Sequence, residues 1–421
     1  MLKQTRASLI LLGMPFLNPA GTSSKQMSVQ IPYHLLRCPL NNHKEAKIMN
    51  SKYKELLTPY TFKNGVELKN RIIMAPMTNF SSDEKGNVTD AEVAYYERRS
   101  KDVSMVITAC TYVTPDGKGF PGEFGGDTDE MIPSLERLAK GIKDQGAKAV
   151  LQIFHGGVQC PPDLVPDGDV VSASDVMGEN GEKKARALTE AEIENIIEAF
   201  GETTRRAIEA GYDGVEIHGA NGYLIHQFFS PMTNQREDRF GGSLENRMTF
   251  PLAIVDKVKS VVAEHADPSF LVGYRFSPEE PEENGFTMGD TLTLVDALAD
   301  KDLDYLHVSL FEFFSKPRKG VEDLEKARID YLLETIGDRT PLIGVGSIYS
   351  AGDAVKAFGS GVPLLALGRE LIIDPDWLKK IKEGREDEIV TKLDKGKQEE
   401  LVVPDPLWNA IMNAPGWFPG V

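Results

Sequence analysis

The chain has 421 residues, 41% of them hydrophobic and 26% charged, with a formal net charge of −17. That length holds one large domain or two ordinary ones, and the composition is that of a soluble globular protein. So acidic a balance argues against nucleic acid, whose phosphates need a basic surface, and against an anionic membrane surface.

Residues 1–48 differ in kind from the rest. No acid precedes Glu45, while Lys3, Arg6, Lys25, Arg37 and Lys44 are basic. The apolar run Leu9–Phe16 contains Gly13 and Pro15 and is too short to span a bilayer. The segment reads as a disordered extension or a targeting-like peptide and is set apart from the fold. Cys38, Cys110 and Cys160 lack zinc or iron–sulfur spacing and cannot build a disulfide framework. No metal site is expected, and such cysteine usage suits a reducing, cytoplasmic compartment.

From residue 51 onward, short apolar runs alternate with helical patterns. Gly65, between short β-prone pieces in Leu56–Lys69, predicts a hairpin capping one end of the fold. Eight strands follow: Arg71–Ala75, Ser104–Tyr112, Lys148–Phe154, Gly214–His218, Phe270–Phe276, Tyr305–Ser309, Leu342–Val345 and Leu364–Leu367. Helical stretches separate each from the next. Thr89 with Glu92 and Thr189 with Glu192 are capping boxes, the Thr accepting from the backbone three residues on and the Glu reaching back. Further helices are placed near Asp127–Asp144, Glu245–Glu264, Met288–Lys301, Leu324–Ile336, Ser350–Phe358 and Asp374–Lys382. Eight βα units of this length predict an α/β fold, a TIM (β/α)8 barrel over 51–384, with an open doubly wound sheet as competitor. Residues 385–421 read as an irregular tail. Its aromatics, Trp408, Trp417 and Phe418, are expected to pack on the barrel or a neighbouring subunit rather than bind a ligand.

Chemistry in a barrel gathers where the strands end. Pro76-Met77-Thr78 follows the first strand as a rigid turn, and Ala109 in the second is small enough for something flat to lie against. Gln152 in the third has an amide that both donates and accepts. Gly273 and Arg275 in the fifth share a face by period two. Gly344-Val345-Gly346 and Gly368-Arg369 close the last two strands, where barrels often bind phosphate. Alone, each is weak: a Gly-x-Gly is usually a turn, and a lone Gln or Arg is usually a satisfied polar group. Together they describe one ligand, a phosphate joined to a flat polar ring. A phosphorylated flavin fits, whereas pyridoxal phosphate needs a lysine that these strand ends lack.

After the fourth strand, His218, Asn221 and Tyr223 fall within six residues. A single histidine at a strand end is more often just a satisfied polar residue. Here His218 and Asn221 could donate two hydrogen bonds to one carbonyl oxygen, with Tyr223 supplying a proton.

The chain resembles the Old Yellow Enzyme family of FMN-dependent ene-reductases and NADH:flavin oxidoreductases. The resemblance rests on Lys69-Asn70-Arg71-Ile72 leading into Ala75-Pro76-Met77-Thr78, on Gln152, on His218 to Leu224, and on the run from Gln227 to Arg247. It covers about Leu56 to Pro375 and implies FMN, with NADH or NADPH as reductant and an electron-poor alkene or quinone-like small molecule as acceptor. By resemblance, Pro76, Met77, Thr78, Ala109 and Gln152 would contact the ring system and Arg275 its N1/O2 side. Gly346, Gly368 and Arg369 would hold the phosphate. His218 and Asn221 would polarise the substrate carbonyl, and Tyr223 would deliver the proton.

There are departures. Val158 stands where many relatives have an Arg, and Thr78 where some have a redox-tuning Cys, so thiol control of the flavin is not expected. No Arg follows Arg385, so a site shared through a C-terminal Arg is not expected either, and homo-oligomerisation is left open. The competing functions are a flavin or quinone reductase without an alkene substrate, and a barrel that binds a phosphorylated ligand without redox chemistry.

Overall fold

The computed structural model describes residues 49–178 and 181–421, and the reading of residues 1–48 lies outside them. Eight parallel strands close into a barrel in chain order: β1 Ile72–Met74, β2 Met105–Tyr112, β3 Lys148–Phe154, β4 Gly214–Gly219, β5 Leu271–Phe276, β6 Tyr305–Val308, β7 Leu342–Val345 and β8 Leu364–Leu367. Closure comes from β8 pairing back onto β1, with Leu365 opposite Ile72 and Leu367 opposite Met74. The open-sheet alternative is thereby excluded.

Alternation along each strand divides the apolar residues into two layers. Ile73, Met105, Ile107, Val150, Leu271, Tyr305, Ile343, Leu364 and Ala366 pack together inside the barrel. Phe62, Val66 and Leu68 join them from the hairpin Tyr60–Thr61/Glu67–Leu68 and plug its lower end. The outward set, including Ile72, Met74, Val106 and Leu151, packs against the helices.

Both expected capping boxes form: Thr89 with Glu92 opens the helix Asp90–Ser100, and Thr189 with Glu192 opens Glu190–Glu209. Two more, Thr287 with Asp290 and Ser350 with Asp353, use the shorter acid in the same role. Between β3 and the helix Glu190–Glu209, a three-stranded patch of Val171–Ser172, Val176–Met177 and Lys183–Ala187 was not anticipated from sequence.

The tail is more regular than expected, with helices Gln398–Leu401 and Asp405–Met412 among its turns. Leu407, Ile411 and Phe418 are buried against the barrel layer. Arg99, itself buried, fastens the tail by donating to the carbonyls of Leu401 at 2.7 Å and Val402 at 3.3 Å.

Candidate active site

The register of β3 to β6 stacks polar side chains in two rows inside the barrel. Gln152, Glu216, Gly273 and Tyr305 stand opposite one another in the lower row. One pleat nearer the C-terminal ends, His218, Arg275 and His307 form the upper row. Gly273 is required, because a Cβ there would stand 2.1 Å from the Tyr305 ring.

In the lower row Gln152 Nε2 donates to Glu216 Oε1 at 2.7 Å, and His307 Nδ1 lies 2.9 Å from Glu216 Oε2. Burial alone would raise the Glu216 carboxyl. His307, Arg275 and Gln152 outweigh it and hold the group below the usual value, so it is ionised. Burial drives His307 down, so it is neutral and Nδ1–H is the donor. Sequence reasoning missed Glu216 and His307. The signal was available, since Glu216 precedes His218 by one period of the strand.

In the upper row the two proposed carbonyl donors are each oriented by a neighbour. The Ala220 N–H reaches His218 Nδ1 at 3.4 Å, which leaves the ring proton on Nε2. Burial, then the charge of Arg275, lowers the His218 pKa well below that of a free imidazole, so the ring is neutral. Asn221 has the left-handed backbone (φ 60°) that asparagine tolerates. Its N–H donates to Ser277 Oγ at 2.8 Å, and its Oδ1 accepts from Ser309 Oγ at 2.9 Å, which turns Nδ2 outward as a free donor. Ser309 in turn accepts from Arg275 Nη2 at 3.2 Å. Tyr223 stands with its ring centroid 5.0 Å from those of His218 and Phe154, and burial pushes its phenol further up, so it keeps its proton.

A cleft continues from Arg275 along the ends of β7, β8 and β1. Pro76, Met77, Gly346, Gly368, Arg369 and Trp417 line it, with apolar walls from Ala75, Val345, Ala366 and Leu367. At one end Gly346 takes φ 142° and presses its backbone so close to Phe313 N that a Cβ would lie 2.6 Å away. Arg369 reaches across, donating from Nη2 to Ser347 Oγ and from Nη1 to the Trp417 carbonyl, both at 3.0 Å. At the other end Arg275 Nε is buried without a partner. A cation beside bare backbone, flat apolar walls and an unsatisfied guanidinium N–H fit a phosphorylated, flat, polar ring. No lysine lines this cleft.

The cleft thus gathers Pro76, Met77, Arg275, Gly346, Gly368 and Arg369, without Thr78 and Gln152; Asn221 joins Arg275 through Ser309, His218 stands opposite Arg275, and Tyr223 packs on His218. A register shift between Ile107 and Cys110 breaks the β2 alternation. Ala109 is buried at this bulge, where the Tyr96 hydroxyl accepts its N–H at 2.7 Å. Cys110 stands beside Phe154 and Tyr223 and 3.9 Å from Thr78 Oγ1. A thiol thus stands next to the position where none was expected, although burial raises its pKa and keeps it un-ionised. Trp417, expected only to pack, also lines the cleft. Val158 packs in a small apolar cluster, its N–H donating to Gln227 Oε1 at 3.1 Å.

Residues 55–388 match the model of the NADH:flavin oxidoreductase / NADH oxidase family. The chain belongs to this family. It is 58% identical over 371 residues to a probable NADH-dependent flavin oxidoreductase of Bacillus subtilis (strain 168), covering 88% of this chain and 99% of that one. It is 42% identical to an NADH:fumarate oxidoreductase of Klebsiella pneumoniae (strain 342), covering 84% of this chain but 38% of that longer protein. Among solved structures, morphinone reductase in complex with tetrahydroNAD superposes with a TM-score of 0.65 at 29% identity, over 78% of this chain and 91% of that one. The chain is accordingly an FMN-dependent oxidoreductase that draws on NADH or NADPH, built on the Old Yellow Enzyme barrel. No helix among the described residues is long and apolar enough to cross a membrane.

Proposed function

We propose that the family member described here reduces the activated C=C bond of a small α,β-unsaturated carbonyl compound, with His218 and Asn221 gripping the carbonyl oxygen and Tyr223 protonating the α-carbon. FMN, when bound, supplies hydride chemistry fed by NAD(P)H. Gly346, Gly368 and Arg369 would hold its phosphate, and Pro76, Met77, Gln152 and Arg275 would flank its ring. The observation that carries this reading is that both donors are oriented in advance. Ala220 fixes the proton of His218 on Nε2, and Ser309 turns Asn221 Nδ2 outward. Two such donors stabilise the negative charge that grows on a carbonyl oxygen as the bond is reduced, at no reorganisation cost. The buried phenol of Tyr223 is protonated at neutral pH, as an acid must be.

The combined substitution His218→Ala with Asn221→Ala tests the grip. Phenol binding and cyclohexenone turnover should both collapse while FMN stays bound. Unchanged turnover would remove the two residues from this role.

A further inference from the structure

The most heavily buried charge in the barrel lies below this site and has no part in gripping the substrate. Glu216 is fully buried, 0% exposed, on the interior face of β4. Its two hydrogen bonds come from a neutral amide, Gln152, and an imidazole, His307, that is also 0% exposed. Among the described residues no lysine or arginine lies within ion-pair distance of it, and its one ion-pair contact is His307. A carboxylate so deeply buried is costly unless a positive charge compensates it. The nearest candidate is Arg275, one register row above, with Glu216 opposite Gly273 on the same strand. Arg275 is itself 8% exposed, with Nε unpartnered and no carboxylate within ion-pair distance among the described residues. Each charge is therefore left to the other, with the Tyr305 ring packed over Gly273 between their two rows.

We propose that Glu216 is the buried counter-charge of Arg275 and thereby lowers the electron affinity of the bound FMN. This rests on the placement of Arg275 beside the flavin ring. An uncompensated guanidinium there would favour electron uptake, and a carboxylate behind it in a low-dielectric interior weakens that pull. Glu216 acts through Arg275 and Gln152 and is a positioning residue; it has no contact with substrate. Its negative charge keeps the flavin reducing enough to pass hydride onward.

The test is the midpoint potential of the holoenzyme carrying Glu216→Gln, which keeps the shape and can still accept from Gln152. The potential should rise, with the ratio of reduced to oxidised flavin at fixed potential increasing at least tenfold, about 30 mV for a two-electron couple. A purely structural Glu216 would change stability and leave the potential where it was, which would overturn the proposal. Arg275→Met, measured alongside, should lower the potential. If it does not, the placement of Arg275 at the ring fails; if it does and Glu216→Gln shifts nothing, the counter-charge fails alone. Should Glu216→Gln not retain FMN, His307→Asn carries the test. It removes a donor from the carboxylate, so Glu216 takes up a proton nearer neutrality and the potential should vary more steeply with pH than in the parent. An unaltered slope overturns the proposal.

Discussion

Ser309 joins Arg275 to Asn221: its hydroxyl accepts from Arg275 Nη2 at 3.2 Å and donates to Asn221 Oδ1 at 2.9 Å. One hydroxyl thus decides which end of the Asn221 amide is left free. Ser309→Ala should leave FMN bound and lower kcat/KM for an enone by roughly three- to tenfold, the worth of one hydrogen bond of about 0.5–1.5 kcal/mol. Steady-state kinetics checks this. An unchanged kcat/KM would mean that Asn221 is oriented by something else.

The proton role proposed for Tyr223 is tested by comparing alkenes with simpler acceptors. Its ring is held edge-on by Phe154, His218 and Phe120, contacts a phenylalanine would keep. Tyr223→Phe should therefore fold and bind FMN normally, yet lose about a hundredfold or more in alkene turnover, the usual worth of a positioned acid. Quinone reduction should persist. Equal loss on both acceptors would assign Tyr223 a binding role instead.

Arg369 is clasped by the tail through the Trp417 carbonyl, and the tail end is pinned by Leu393 N–H donating to the Pro419 carbonyl at 2.8 Å. Removing residues 414–421 should weaken FMN binding by about tenfold, near 1.4 kcal/mol. Fluorescence titration of apoprotein with FMN reads this directly. Full-length affinity in the shortened chain would show that Ser347 alone positions the guanidinium.

Glu92 should contribute a loss of stability as pH rises through the weakly acid range. Glu92 is buried at the start of the helix Asp90–Ser100, and burial raises its carboxyl from 4.5 to about 7, against the hydrogen bonds from Ser82 and Thr89. Between those values the folded chain holds a proton that the unfolded chain has released. The unfolding free energy therefore drops with rising pH across that window, by at most about 3 kcal/mol. Glu92→Gln preserves the cap and should remove this share of the drop, leaving those of the other carboxyls that burial raises, Asp304 to about 6 and Glu370 to about 10. Urea unfolding at about pH 5 and pH 8 measures it. An undiminished slope in the variant would clear Glu92 of the effect.

What could be read from the residues was whatever depends on local pattern. Runs such as Lys148–Phe154 and Leu364–Leu367 are bounded by their own composition and coincide with β3 and β8. Capping boxes are written within four residues. What escaped depends on partners distant in sequence. The β2 bulge is stabilised by the Thr108 hydroxyl, which accepts the Gln152 N–H at 3.2 Å, and no strict period-two count reveals it. Glu216 and His307 are 91 residues apart and acquire meaning only when the barrel closes. Trp417 looked like one more packing aromatic, because nothing near it in sequence signals Arg369.

That last contact has a practical edge. Arg369 is held by the backbone carbonyl of Trp417, so no side-chain substitution at Trp417 removes the bond itself. Whatever is grafted onto Val421, a purification handle included, begins five residues past the carbonyl that steadies the guanidinium. Such a graft pulls on the segment whose backbone carbonyl holds Arg369 in place.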